Sequence, residues 1–188
     1  MADRTKAILR EPFRAETWRR TAYVVLALPI GLLCIPLALF GGPAARIQRG
    51  LARRLLGLET VAPARTGPLA LAHALVSAPL NVVAATITLF FWMVVVINIG
   101  YPLRPDNNYA QSWGGPTLAG AWAVHAIGGG LGFLLLTPWV VKGFNKLQAR
   151  LISGFLGAGR TGLLRSTGFA LAVAAICVPL SVPVIHQL

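Results

Sequence analysis

The stretch Leu69 to Leu103, LALAHALVSAPLNVVAATITLFFWMVVVINIGYPL, contains no Asp, Glu, Lys or Arg. Neither does Asn107 to Val141, NNYAQSWGGPTLAGAWAVHAIGGGLGFLLLTPWVV. Each run is thirty-five residues long. A bilayer core of roughly 30 Å is crossed by about 20 apolar helical residues, so the pair predicts a transmembrane helical hairpin. Between the runs, Arg104-Pro-Asp-Asn-Asn-Tyr-Ala-Gln-Ser-Trp-Gly-Gly-Pro116 is rich in turn formers and nearly neutral. Arg and Lys crowd the segments beyond both outer ends. By the positive-inside rule the turn faces outward and the flanks face the cytoplasm.

Working outward, the composition agrees. With 188 residues, 56% of them hydrophobic and 12% charged, the chain has no room for a soluble catalytic domain beside its spans. A net charge of +12 in a soluble protein would suggest nucleic acid. Here the seventeen basic residues cluster beside apolar runs, which points to anionic lipid headgroups and away from nucleic acid. Cys34 and Cys177 lie inside apolar segments with no CxxC spacing, as unpaired packing residues do. No secretory signal peptide is expected, because the first apolar run starts only at Thr21 and no small-residue cleavage pattern follows it.

The sequence therefore reads as one all-α membrane domain over 1–188. Residues 1–20 form a basic cytoplasmic N-terminus, with Trp18 placed to anchor the start of the first span. The run over 21–43 either crosses the bilayer or enters and returns, bent at Pro29-Ile-Gly31 or Pro36. If it crosses, ten basic residues stand on one side and seven on the other; if it re-enters, sixteen are cytoplasmic and one is outside. The charge count favours re-entry, although two legs of about ten residues reach only roughly 15 Å. Three to four spans are expected in all: 70–101, 118–141, 167–185 and, if it crosses, 21–43. An external loop occupies 102–117.

Two basic amphipathic helices are expected in the interface plane, over 44–58 and 142–157. Ile47, Leu51 and Leu55 give the first an apolar stripe, and Phe144, Leu147, Leu151 and Phe155 give the second its own. Ile47-Gln-Arg-Gly-Leu-Ala-Arg-Arg-Leu-Leu-Gly57 aligns without gaps on Leu147-Gln-Ala-Arg-Leu-Ile-Ser-Gly-Phe-Leu-Gly157. The preceding spans also correspond, Leu26-Ala-Leu-Pro-Ile30 with Val76-Ser-Ala-Pro-Leu80. The pattern is an internal duplication.

Phe13, Thr17-Trp-Arg-Arg-Thr-Ala-Tyr-Val24, Leu28-Pro-Ile-Gly31, Arg49-Gly-Leu-Ala-Arg-Arg-Leu-Leu-Gly57, Thr137-Pro-Trp-Val-Val-Lys-Gly143 and Leu147-Gln-Ala-Arg-Leu151 occur in that order. In this arrangement, from about 13 to 157, the chain resembles the sensor domain of actinobacterial two-component histidine kinases. The resemblance implies a membrane-embedded input module. The first unit lacks the second of the family's usual two spans, and a further span stands where a kinase domain would follow. Any signal would therefore pass to a partner, a histidine kinase or, on the alternative reading as an accessory subunit, a transporter.

The five acidic residues and all Lys and Arg fall outside the expected spans, which argues against a coupled pump and against intramembrane hydrolysis. No enzyme, cofactor or metal site is expected, since His73, His125 and His186 differ in depth. His125 is expected to donate a hydrogen bond between helices. Ser77, Asn81, Ala84 and Thr88 form a small and polar stripe, as do Ala121, His125, Gly128 and Gly132, and the two are expected to face each other as a packed seam or a ligand crevice. Candidate ligand or partner contacts are Asn81, Thr88, Asn107, Tyr109, Trp113 and His125. Candidate lipid-headgroup contacts are Arg49, Arg53, Arg54, Lys142, Lys146 and Arg150. The sequence leaves self-association open. A bacterial plasma membrane is the expected location.

Overall fold

The computed structural model describes residues 2–63, 67–105, 108–158 and 162–185. Among them it is all-helical, with no strand. The helices are α1 (Ala2–Arg10), α2 (Ala15–Leu39), α3 (Ala44–Leu56), α4 (Gly67–Ile99), α5 (Leu118–Val124), α6 (Gly132–Leu156) and α7 (Leu163–Ile185). A π-helical segment, His125–Leu131, joins α5 to α6 without a break. Among the described residues, three helices are long and apolar enough to cross a membrane: Ala15–Leu39, Gly67–Ile99 and the composite Leu118–Leu156.

The first of these carries the 21–43 run without the bend expected of a re-entrant path. Pro29 and Pro36 lie inside one unbroken helix of 25 residues. Asn81 of α4 donates to the Ala27 carbonyl (3.0 Å), fastening the middle of α2 to α4. The chain reverses only after Leu39. Gly41 adopts φ 71, and the Gly42 and Pro43 that come next lead directly into α3. The Cys34 thiol donates to the Ala44 carbonyl (3.7 Å) across this turn.

α4 is the central helix. It packs on α2, α3, α6 and α7, and its Ala70, His73, Ala74, Ser77, Leu80, Asn81, Val83, Ala84 and Thr88 are all buried. α2 runs antiparallel to it, since Trp18 stacks on Trp92 (4.6 Å between ring centroids) while Ala27 meets Asn81. α6 is also antiparallel to α4, since Phe133 packs edge-on against Phe91 and Phe155 against His73.

A separate interfacial helix over 142–157 does not form. Lys142 to Leu156 continue α6, and Phe144, Leu147, Leu151 and Phe155 are buried in the bundle. The sequence offers no stop between Val141 and Lys142, neither a capping residue nor a Gly-Pro break, so the helix propagates through the change of polarity. Lys142, Lys146 and Arg150 thus lie on the same composite helix as the uncharged 118–141 run, beyond its end.

The first basic helix forms as α3 but buries a different face. Ala44, Ala45, Gln48 and Ala52 point into the protein, Leu51 and Leu55 are half-buried, and Ile47 is exposed. Small residues win the inner face because they let α3 approach α2 closely. Ahead of α2, the N-terminal segment is anchored: Glu11–Phe13 forms a short turn whose Glu11 and Pro12 are buried.

Candidate functional site

Buried polar side chains concentrate where α2, α3, α4 and α6 meet. Gln148 Nε2 donates to Asn81 Oδ1 (2.6 Å), and Asn81 Nδ2 donates to the Ala27 carbonyl, so one side chain of α4 ties α6 to α2. Nearer the start of α4, His73 Nδ1 hydrogen-bonds Gln48 Oε1 of α3 (2.8 Å). His73 and Asn81 are eight residues apart, two turns and a fraction, and therefore share a face. Asn81 sits this close to α2 because residue 31 is glycine: a Cβ there would lie 2.8 Å from Asn81 Nδ2.

These groups line a cavity of about 20 Å³ together with Tyr23, Ala27 and Ser77. That is room for one water molecule. Gln48 Nε2 and Gln148 Oε1 are buried without a hydrogen-bond partner, one a donor and the other an acceptor. Arg49 adds a second tie between the basic elements, Nη1 donating to the Leu156 carbonyl (3.2 Å).

A basic groove of about 390 Å³ lies beside this seam, lined by Arg20, Leu58, Trp139, Lys142, Asn145 and Lys146 among others. At its edge Lys142 Nζ pairs with Glu11 Oε1 (2.5 Å) and lies 4.5 Å from the centre of the Trp139 ring. Glu11 is only 4% exposed. The Lys142 hydrogen bond holds its carboxyl below the usual carboxylate range, against the upward push of burial and with help from the charges of Lys142, Arg14 and Arg20. Thr17 Oγ1 fastens the same segment by donating to the Glu11 carbonyl (2.7 Å).

The expected contacts distribute unevenly over this geometry. Asn81 is at the centre of the seam, and Thr88 is buried two turns on, its hydroxyl without a partner. Tyr109 and Trp113 are exposed in the loop, Trp113 at 83%, and Asn107 lies outside the described residues. Arg53, Arg54, Lys146 and Arg150 are exposed. Arg49 and Lys142 are half-buried, the first against Leu156 and the second against Glu11 and Trp139.

Two expectations are corrected. The stripes do not face each other: Asn81 of the first meets α2 and the far end of α6, whereas in the second His125 stacks on Tyr101 beyond the other end of α4 and an added Cβ at Gly128 or Gly132 meets no atom of α4. Antiparallel registry explains it, since Asn81 is level with Gln148. His125 likewise makes no interhelical hydrogen bond. Its Nδ1 bonds back to the Ala121 carbonyl (2.8 Å) and its ring stacks on Tyr101 (4.2 Å).

Sequence reasoning missed Glu11, Gln48 and Gln148. A signal existed for the glutamines, as the one polar pair matched between the two aligned basic helices. Nothing local marks Glu11, whose partner is 131 positions away. Compared with protein-family models, curated proteins and solved structures, the chain matches none of them.

Proposed function

We propose that this chain is a non-enzymatic membrane sensor-like module, built by internal duplication, that turns a lipid, small-molecule or envelope signal into movement of its two basic helices and passes it to a partner protein. The observation that supports this reading is the double tether on α4. Each basic element, α3 and the Lys142 to Leu156 end of α6, is hydrogen-bonded to α4 through a glutamine, Gln48 to His73 and Gln148 to Asn81. A shift of α4 at the seam is then felt by both basic surfaces at once.

The duplication is supported by the same cavity. Tyr23 and His73, Ala27 and Ser77, and Gly31 and Asn81 are pairs fifty positions apart; Gln48 and Gln148 are a hundred apart; all eight line it. Antiparallel α2 and α4, each packed against a basic helical segment, are what an inverted repeat with its axis through the cavity would give, and such interfaces are where membrane proteins place responsive sites. The resemblance to histidine-kinase sensor domains is consistent with this reading and names a kinase as the partner class, with the exposed Arg53, Arg54, Lys146 and Arg150 against anionic lipid of a bacterial plasma membrane.

The test is a spin-label distance between positions 46 and 150, both exposed, in Arg46→Cys/Arg150→Cys chains lacking Cys34 and Cys177. Asn81→Leu, which cuts one tether, should change the distance distribution in bilayers. An unchanged distribution would sink the relay.

The accessory-subunit reading has one observation in its favour. Gly128 and Gly132 lie one turn apart on an exposed face with no neighbour within 3.5 Å of an added Cβ, the small-xxx-small spacing by which membrane helices associate.

A further inference from the structure

We infer that the groove between α2, α3 and α6 binds the headgroup of an anionic phospholipid that also carries a headgroup hydroxyl, a lipid of the phosphatidylglycerol type. The groove presents two buried polar atoms that nothing in the protein satisfies. Arg20 Nη1 is buried without an acceptor, although Nη2 of the same guanidinium pairs with Glu16. Asn145 is 5% exposed and its Oδ1 meets no donor, although its Nδ2 donates to the Arg20 carbonyl (3.2 Å). Stranded buried groups of this kind are costly, more so on a charged side chain.

A guest that satisfies both must offer an anionic acceptor and a donor hydrogen. A phosphodiester oxygen supplies the first to Arg20, with Lys146 as a second cation, and a headgroup hydroxyl supplies the second to Asn145. Choline supplies no such donor. Arg20 is the last charge before the uncharged run that begins at Thr21, and Lys142 the first after the run that ends at Val141, so each cation of the groove adjoins apolar surface that acyl chains can cover. Trp139 and Leu58 give the lipid's glycerol and upper acyl carbons an apolar flank.

This site deepens the sensor reading and rests on it only for the step after binding, a competition between phosphate and Glu11 for Lys142. Binding itself is measured on the full chain in detergent by native mass spectrometry. The probes are phosphatidylglycerol, phosphatidylcholine, phosphatidylmethanol, which is a phosphodiester without the hydroxyl, and soluble glycerol phosphate. The expected result is about tenfold preferential retention of phosphatidylglycerol over phosphatidylcholine, the factor of one well-formed hydrogen bond from the headgroup hydroxyl to Asn145, since both lipids carry the phosphodiester. Lys146→Gln, at an exposed position, should weaken that retention several-fold. Asn145→Leu should abolish the advantage of phosphatidylglycerol over phosphatidylmethanol, with circular dichroism confirming the native helix content.

Equal retention of phosphatidylglycerol and phosphatidylcholine overturns the proposal, as does a Lys146→Gln chain that binds like the wild type. Displacement of the lipid by glycerol phosphate at equal concentration also overturns it, since the site would then belong to a soluble anion. Selective lipid binding with no change in the 46 to 150 distance would remove the relay and leave the site standing.

Discussion

Asn81→Leu isolates the energetic weight of the polar seam. Asn and Leu both branch at Cγ, and Gly31 leaves the space that a methyl in place of Nδ2 needs, so the cavity contribution is small. Two hydrogen bonds disappear, at 3.0 Å to the Ala27 carbonyl and at 2.6 Å from Gln148. Such bonds between membrane helices contribute about 0.6 kcal/mol each on average, up to about 1.7. The larger cost falls on Gln148. Its Oε1 already lacks a partner, so losing Asn81 strands a whole buried amide, at about 1–3 kcal/mol. The variant should lose about 2–3 kcal/mol, roughly 30- to 150-fold in the unfolding equilibrium. Titration with sodium dodecyl sulfate in mixed micelles, followed by far-ultraviolet circular dichroism, measures it. Asn81→Leu/Gln148→Met removes both polar partners at similar volume and should recover about half of the loss, because replacing a pair costs less than stranding one member. A single-variant cost below about 0.5 kcal/mol, or strict additivity in the double variant, would refute the assignment of Asn81 as the tie between α2 and α6.

Neighbouring glycines should separate sharply in the same assay. Gly129→Ala drives a Cβ to within 2.4–2.7 Å of the Asn98 side chain and should destabilise by about 1–3 kcal/mol, whereas Gly128→Ala meets nothing and should be neutral or slightly stabilising; equal effects would mean the π-helical segment is set differently on α4. The Glu11 and Lys142 pair predicts an acid-sensitive N-terminus. Because folding lowers the Glu11 pKa, its contribution is fully present above the ordinary carboxylate value of about 4.3 and is lost as pH falls below it through the folded value. A spin label at the exposed position 13 should gain mobility as pH falls from 7 toward 3, while Glu11→Gln should be mobile throughout and flat with pH. A wild-type label indifferent to acid would argue that Thr17 alone holds the segment.

The helical class and the long apolar elements were legible from uncharged length alone, because a bilayer imposes a minimum span that few other constraints imitate. The path of residues 21–43 was not. Charge counting treats each loop as lying flat on one surface, whereas α3 folds back on α2 through Ala44, Ala45, Gln48 and Ala52, a face whose small side chains carry little hydrophobic signal. The end of the third long helix was misplaced for a related reason: polarity changes at Lys142, but helix propensity does not. In the candidate site, Asn81 was legible as a polar residue in an apolar run. Its partners were not, since antiparallel registry between α4 and α6 brings 81 to 148 and no local pattern encodes that offset. Gln148 and Gln48 sit among arginines in patterns typical of basic surface helices, and only their match between the two aligned segments sets them apart.

The π-helical segment at His125–Leu131 has a mechanical consequence. A wide turn inserted in an α-helix behaves as one surplus residue, and each residue of an α-helix advances the azimuth by about 100°. The rod that links Trp122, at the loop end, to Lys142 is therefore wound with a phase offset stored at three consecutive glycines, where backbone torsions meet least resistance. If the surplus turn migrates along the rod or is squeezed out, the outer portion must screw relative to the inner one. Twisting, more than tilting, is the motion this architecture makes inexpensive.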